Sequence, residues 1–345
     1  MRILKATLLV VELLFLSVDL IFQRVGCFLL HKIVLLSVAG YRKFNIRGKN
    51  MSNFVLSCCS TADLTKKHFD ERDIKYVCAH YTIDGTSYDD DLYETISADE
   101  FYSQLKGGVE CSTSQVNISE FLDHFTKYLE QGLDVLHISI SSGISGTVNS
   151  ARNAASIAAE RFPDRKIYIV DSLAASSGFG LMMDKLADLR DEGKTIDEIR
   201  DWVENNKLRM HHWFFSTDHP FYVKGGRVSK VSGWVGGILN ICPLLNVDYM
   251  GRLIPRHKSR GKKNAIHETL KRMEMYAENK TDYSGKCYIC HSDSIEDASA
   301  LKALIEENFP KLNGEVEIYN IGTTIGCHSG PGTVALFFWG EERKD

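Results

Sequence analysis

Five hydroxyls and two glycines crowd into SSGISGTVNSA, Ser141–Ala151. The run before it, LDVLHISI (133–140), is short and largely apolar and reads as a buried strand. The run after it, VNSARNAASIAAERF (148–162), carries alanines and isoleucine at helical spacing and reads as a helix. A strand, a Gly/Ser bend and a helix start make a site for an anionic oxygen. The first helical turn has free N–H groups, and the helix dipole is positive there. Ser145 and Thr147 could equally cap the helix while the glycines serve the turn. On this segment alone both readings stand.

Other stretches could also carry chemistry. HSGPG (328–332) sets a histidine before glycines around a proline. That predicts a rigid turn at which backbone approaches a ligand closely, with His328 available for hydrogen bonding or proton transfer. GISG (143–146) is not the GxSxG nucleophile elbow, although Ser145 with His328 as base would make a hydrolase pair. KGGR (224–227) and PRHKSRGKK (255–263) are basic clusters, either solvated surface or docking faces for a phosphate-bearing ligand or an acidic partner. CYICH (287–291) matches a haem-attachment pattern and contains CxxC. It reads as a strand, however, so its two sulfurs should diverge, which argues against haem or metal.

The elements that must hold these groups follow from periodicity. From residue 54 to about 205, strands alternate with helices, which implies a mostly parallel sheet covered on both faces. Phe54–Leu64 reads as strand and turn, Lys75–Gly85 as one strand, and Ser97–Gly108 as a capped helix. Cys111–Gly132 reads as a polar bend followed by a helix, and Lys166–Gly193 as strand, bend and helix. Ligands of such sheets sit beyond the carboxyl ends of the strands. Ser60–Thr61, Ser141–Thr147 and Asp171–Ser172 all fall there, which favours a site over mere capping. After about residue 206 strands and turns dominate, HSGPG among them, which predicts a second, mixed-sheet part.

Composition narrows the class. The chain has 345 residues, 44% hydrophobic and 25% charged, with a net charge of −4, so no strong basic field points to nucleic acid. Nine cysteines without a framework spacing fit free thiols in a reducing cytoplasm. Residues 1–50 carry two apolar blocks broken by charges, neither reaching the ~20 apolar residues of a spanning helix. No stable membrane insertion is therefore expected. The preferred reading is a natural start at Met51. The alternative is an interfacial anchor in which Arg24, Lys32, Arg42, Lys43, Arg47 and Lys49 meet anionic headgroups.

Taken in order, STADL (60–64), TSQ (113–115), SSGISGT (141–147), VDS (170–172), KGGRVS (224–229), HKSR (257–260) and HSGPG (328–332) give a chain that resembles the DegV family of fatty-acid-binding proteins. The likeness runs from about Phe54 to Gly340. It implies a three-layer α/β/α domain with a parallel sheet (51–205) and a smaller two-layer α/β domain with a mixed sheet (206–340). It implies a buried long-chain fatty acid as ligand, with no cofactor and no metal. Thr113 and Ser145 would hydrogen-bond the carboxylate, with Ser114, Ser142 and Gly146 beside it. In bacterial relatives a separate ATP-dependent kinase subunit phosphorylates the bound acid to an acyl-phosphate. Arg260 and His328 match the residues tied to that step, and Arg227 lies in the adjoining docking loop. The family's first motif commonly has an aspartate before its Ser-Thr pair, where this chain has Cys59. Two other classes compete: an autonomous serine hydrolase or dihydroxyacetone-kinase-like phosphotransferase, and a membrane-tethered sensor.

Overall fold

The computed structural model describes residues 53–217, 219–228 and 241–344, within one unit spanning Ser52–Asp345. The Met51 start and the interfacial anchor lie outside the described residues, as does Ser229 of KGGRVS.

Strands β1 (Phe54–Cys59), β2 (Ile74–Val77), β6 (Asp134–Ser139) and β7 (Ile167–Asp171) form a parallel sheet in the order β2-β1-β6-β7. Every residue of β1 and β6 is buried, as a parallel sheet covered on both faces requires. On its outer face lie α3 (Ile118–Leu129) and α4 (Thr147–Arg161). There Phe121 and Phe125 of α3 share a core with Ala151, Ala154 and Ala158 of α4. The small alanines let α4 lie close to both α3 and the sheet. Against the inner face pack α1 (Lys66–Glu71), α5 (Ser176–Asp191) and α6 (Ile196–Asn206).

The second sheet is mixed and six-stranded. It comprises β8 (Met210–Ser216), β9 (Ile241–Val247), β10 (Leu253–Arg260), β11 (Tyr288–Ser292), β12 (Glu317–Asn320) and β13 (Thr333–Trp339), in the order β10-β9-β8-β13-β11-β12. Helices α8 (Gly261–Tyr276) and α9 (Ile295–Asn308) cover one face, and α5 touches the other. Helix α5 is therefore shared, with twelve of its sixteen residues buried. Its glycines make this possible. A Cβ at Gly178 would lie 2.5 Å from His212 Nε2, and one at Gly180 would lie 2.5 Å from the Ala62 carbonyl oxygen. Gly180→Ala is expected to cost about 1–3 kcal/mol by overpacking against backbone that cannot yield. An unchanged urea midpoint would show that the sheets can part.

A small antiparallel sheet of β3 (His80–Ile83), β4 (Thr86–Asp89) and β5 (Cys111–Ser114), in the order β4-β3-β5, completes the fold with α2 (Ala98–Lys106), α7 (His219–Gly225) and α10 (Thr323–Ser329).

The architecture is the expected one, a parallel-sheet α/β/α body with a mixed α/β sheet, but four local expectations are corrected. Lys75–Gly85 is two strands in two sheets. The chain leaves β2 at Cys78, and the Ala79 N–H turns to Ser60 Oγ at 3.0 Å. The polar bend at Cys111–Ser114 is a strand, because β3, some thirty residues upstream, supplies its ladder. His328 closes the last turn of helix α10, where strands and turns were expected; the expected turn follows it at Gly330 and Gly332, whose φ values of 65° and 87° suit glycine. Finally, Cys111 and Cys327 form a disulfide, so the cysteines are not all free thiols. The pair is 216 residues apart, and only the docking of α10 on β5 reveals it. CYICH behaves as its strand reading predicts: Cys287 packs with the core under α8 and α9, and Cys290 with the core around α5.

Candidate functional site

Between the two sheets lies a cavity of about 490 Å³, within the range of small-molecule sites. Its body is apolar, walled by Ile140, Ile144, Phe214, Val247, Leu253 and Phe337 among others. The β5 strand, the bend before α4 and the end of α10 bring polar groups to it: Thr113, Ser114, Gln115, Ser145, Gly146, Thr147, Arg227 and His328.

The bend before α4 settles the capping question locally. Asn117 caps α3 and Thr195 caps α6 through side chains, each in a capping box, and Thr65 caps α1. At α4 the N-cap is Gly146, and no side chain caps it. The first turn of α4 therefore keeps donors that α1, α3 and α6 satisfy with side chains. Ser145 Oγ lies 2.8 Å from Thr147 Oγ1 and accepts weakly from the Thr147 N–H at 3.3 Å. Gln115 lies beside Gly146: a Cβ there would meet Gln115 Oε1 at 2.7 Å. Ser141 is spent on structure, donating to the Gly251 carbonyl at 2.8 Å and so holding the β9–β10 turn against the bend.

His328 organises the other side. Its Nε2 lies 2.7 Å from Thr113 Oγ1, and its Nδ1 lies 3.4 Å from Arg227 Nη1. Burial, reinforced by the Arg227 cation, pushes its pKa down to about 4, so the ring is neutral at pH 7. A guanidinium only donates, so the Nδ1 facing Arg227 is the acceptor and the proton sits on Nε2. The Nε2–H then donates to Thr113 Oγ1. The Thr113 hydroxyl proton remains free to donate to a ligand. Arg227, His328 and Thr113 thus form a chain that delivers a polarised O–H to the cavity.

Of the residues expected from sequence, Thr113, Ser114, Ser145, Gly146, Arg227 and His328 line the cavity. Ser142 does not: it is exposed, and its N–H donates to Asp171 Oδ1 at 3.1 Å. Arg260 does not either; it stands exposed at the junction of β10 and α8. Sequence reasoning missed Ser176, His212 and Tyr222 of the lining. Ser176 sits in an ASSG run that matches the hydroxyl-bend pattern, whereas His212, inside an aromatic strand, leaves no signal. His212 is buried and held well below its usual pKa by burial, with its Nε2 accepting from the Ala175 N–H at 3.2 Å.

Hydrolytic machinery does not assemble here. Ser145 bonds Thr147 and not His328, and the His328 Nδ1 faces a cation where a triad would set a carboxylate. Among the described residues, no group of three or more His, Cys, Asp or Glu is placed to hold a metal ion, and no helix is long and apolar enough to cross a membrane.

Comparison with known proteins adds a pedigree to this geometry. The family model for uncharacterised proteins of the DegV family matches residues 59–341. A DegV domain-containing protein of Clostridium perfringens is 36% identical over 294 residues, 85% of this chain and 100% of its own. One from Streptococcus pyogenes is 33% identical over 292 residues, 84% and 99% of the two chains. Among solved structures, a fatty-acid-binding DegV family protein of Thermus thermophilus superposes with a TM-score of 0.74 at 26% identity, covering 84% of this chain and 99% of its own. A DegV lipid-binding protein of Thermotoga maritima gives 0.71 at 28%, covering 85% and 100%. With the match running from the first bend at Cys59 to beyond the last strand, and the relatives spanned almost end to end, the chain belongs to the DegV family.

Proposed function

We propose that the cavity holds a long-chain fatty acid, its acyl chain among the apolar walls and its carboxylate on the hydroxyls of Thr113 and Ser145, near Ser114 and Gly146. The observation that carries this reading is the Arg227–His328–Thr113 chain, which ends in a hydroxyl donor at the polar end of a cavity whose body is apolar. The Thermus and Thermotoga relatives, which bind fatty acid and lipid, support it. The α/β part (51–205) supplies the hydroxyls of β5 and the α4 bend, and the mixed-sheet part (206–340) supplies Arg227 and His328.

In this reading the protein is a cytoplasmic carrier with no cofactor, and a separate ATP-dependent kinase subunit phosphorylates the presented carboxylate. The sequence contains no GxxxxGK[ST] phosphate loop of its own. Arg227 serves docking, and Arg260 and His328 assist the transfer. Extraction of the purified protein followed by mass spectrometry should find about one long-chain acid per chain, as one cavity of this size allows. Protein that is lipid-free and takes up none when offered a C16 or C18 acid would sink the proposal.

The kinase step has its own test. Arg260 is exposed and outside the cavity, so Arg260→Ala should leave lipid content unchanged. Acyl-phosphate formed with a cognate kinase and ATP should fall by about 10²-fold, the scale on which one transition-state charge contact acts. Loss of lipid from this variant would instead assign Arg260 to ligand binding.

A further inference from the structure

Cys111 opens β5 and Cys327 lies near the end of α10. Their Cα atoms are 5.5 Å apart across 216 residues of sequence, a separation at which a disulfide closes without moving the backbone. Each cysteine neighbours a residue of the polar site. Thr113 follows Cys111 by two positions, on the same face of the strand, and His328 follows Cys327 directly. The covalent bridge therefore runs alongside the Thr113–His328 hydrogen bond and joins the same two elements.

The bridge is not what seats α10. The segment leading into the helix is held by the hydroxyls of Tyr93 and Tyr102, both donating to the Ile321 carbonyl, and by the Thr324 N–H on Asp90. Reduction would then loosen this end of the cavity without dismantling the fold. The other six described cysteines are thiols, five of them buried. Burial raises the pKa values of Cys58, Cys59, Cys287 and Cys290, which keeps those thiols inert. Cys111 is half-buried, with one side open to solvent. A bridge with one half-buried and one buried sulfur, amid thiols that burial keeps protonated, has the pattern of a redox-responsive site rather than of a secreted disulfide framework.

We propose that Cys111 and Cys327 form a reversible redox bridge that locks the polar end of the cavity, an inference that rests on the lipid-carrier reading for its consequence. The oxidant is a low-molecular-weight disulfide of the glutathione class. The Cys111 thiolate attacks one of its sulfurs, the small S–S bond breaks and one small thiolate leaves. The Cys327 thiolate then attacks the Cys111 sulfur of the mixed disulfide, and the second small thiolate leaves. Two protein thiols have lost two electrons, the small disulfide has gained them, and the two protons end on the departing thiols. In the bridged form β5 and α10 cannot separate. In the reduced form an opening that parts Thr113 from His328 is available.

The full-length protein is equilibrated with oxidised glutathione or with excess dithiothreitol. Peptide mapping without reduction should find Cys111 and Cys327 joined in the first sample and separate in the second. Release of a fluorescent polyene C18 acid should be about tenfold slower from the bridged form, as expected when a local opening is blocked. Cys111→Ser should release at the fast rate under both conditions, and Cys327→Ala provides the same control from the buried side. No joined peptide after oxidation, or equal release rates in the two states of a protein that binds the probe, would overturn the bridge or its gating respectively. A protein that binds no probe in either state would sink the lipid reading and the gating with it, while the peptide map would still report the chemistry of the pair.

Discussion

Thr113→Val combined with Ser145→Ala is expected to empty the cavity while the protein stays folded. Each hydroxyl should contribute about 1.5–3 kcal/mol as a donor to a charged acceptor. At 1.4 kcal/mol per tenfold, the pair amounts to a loss of about 10²–10⁴ in affinity. The fold should survive because β5 is held by its backbone ladder to β3, and Ser145 lies before α4, which no side chain caps in any case. The two losses should not add perfectly, since both hydroxyls would serve one carboxylate. Thr113→Ser keeps the hydroxyl and should retain most of the affinity, which separates the hydrogen bond from the shape of the side chain. Lipid extraction, titration with a C18 acid and thermal denaturation together check the result. A double variant that co-purifies with a full complement of lipid places the carboxylate elsewhere in the cavity, and one that unfolds gives β5 a structural role.

How much of this was legible in the sequence depends on the distance over which each feature is decided. The strand, bend and helix units β6–α4 and β7–α5 are local, set by apolar runs and the bends between them, and they read correctly. The hydroxyl bend at 141–147 reads as either a cap or a site, and in the structure Gly146 is the N-cap with no side chain capping it. Features that depend on a distant partner were hidden. Cys111–Ser114 has the composition of a loop and becomes a strand only because β3 pairs with it. The Cys111–Cys327 bridge and the His328–Thr113 bond both need α10 to dock more than two hundred residues away from β5. HSGPG advertises a turn through its glycines, yet the histidine before them still belongs to a helix. The sharing of α5 between two sheets was present as SSGFG, two glycines in a helix, which only the close approach of both sheets explains.

Acid is expected to destabilise this protein between pH 6.5 and 4.5 through its buried histidines. His124, His211 and His328 are each lowered to about 4 and His137 and His212 lie well below the ordinary value, in every case chiefly through burial. His212 is also held neutral by the Ala175 N–H on its Nε2, while its Nδ1–H donates to the Met210 carbonyl. In the unfolded chain these histidines titrate near 6.5, so below that pH the unfolded state binds more protons and stability falls as pH falls. At pH 5 each of the three histidines lowered to about 4 costs about 2 kcal/mol relative to neutral pH, and His137 and His212 add to the loss. Asp63 and Asp90 work in the opposite sense. Burial raises both, so the native state gains protons there on acidification and recovers part of the loss. His80 also opposes the loss: burial lowers its pKa, but Glu120 and Asp89 together outweigh that and raise it. A loss of several kcal/mol is a large fraction of the whole stability of an ordinary domain, about 5–15 kcal/mol. The urea midpoint should therefore fall steeply between pH 6.5 and 4.5, with net proton uptake on unfolding at pH 5.5. A midpoint that stays level from pH 7 to pH 5 would mean that the buried rings reach water or a carboxylate partner as they charge, and that the neutral His328 on which the Thr113 donor depends is not held as drawn.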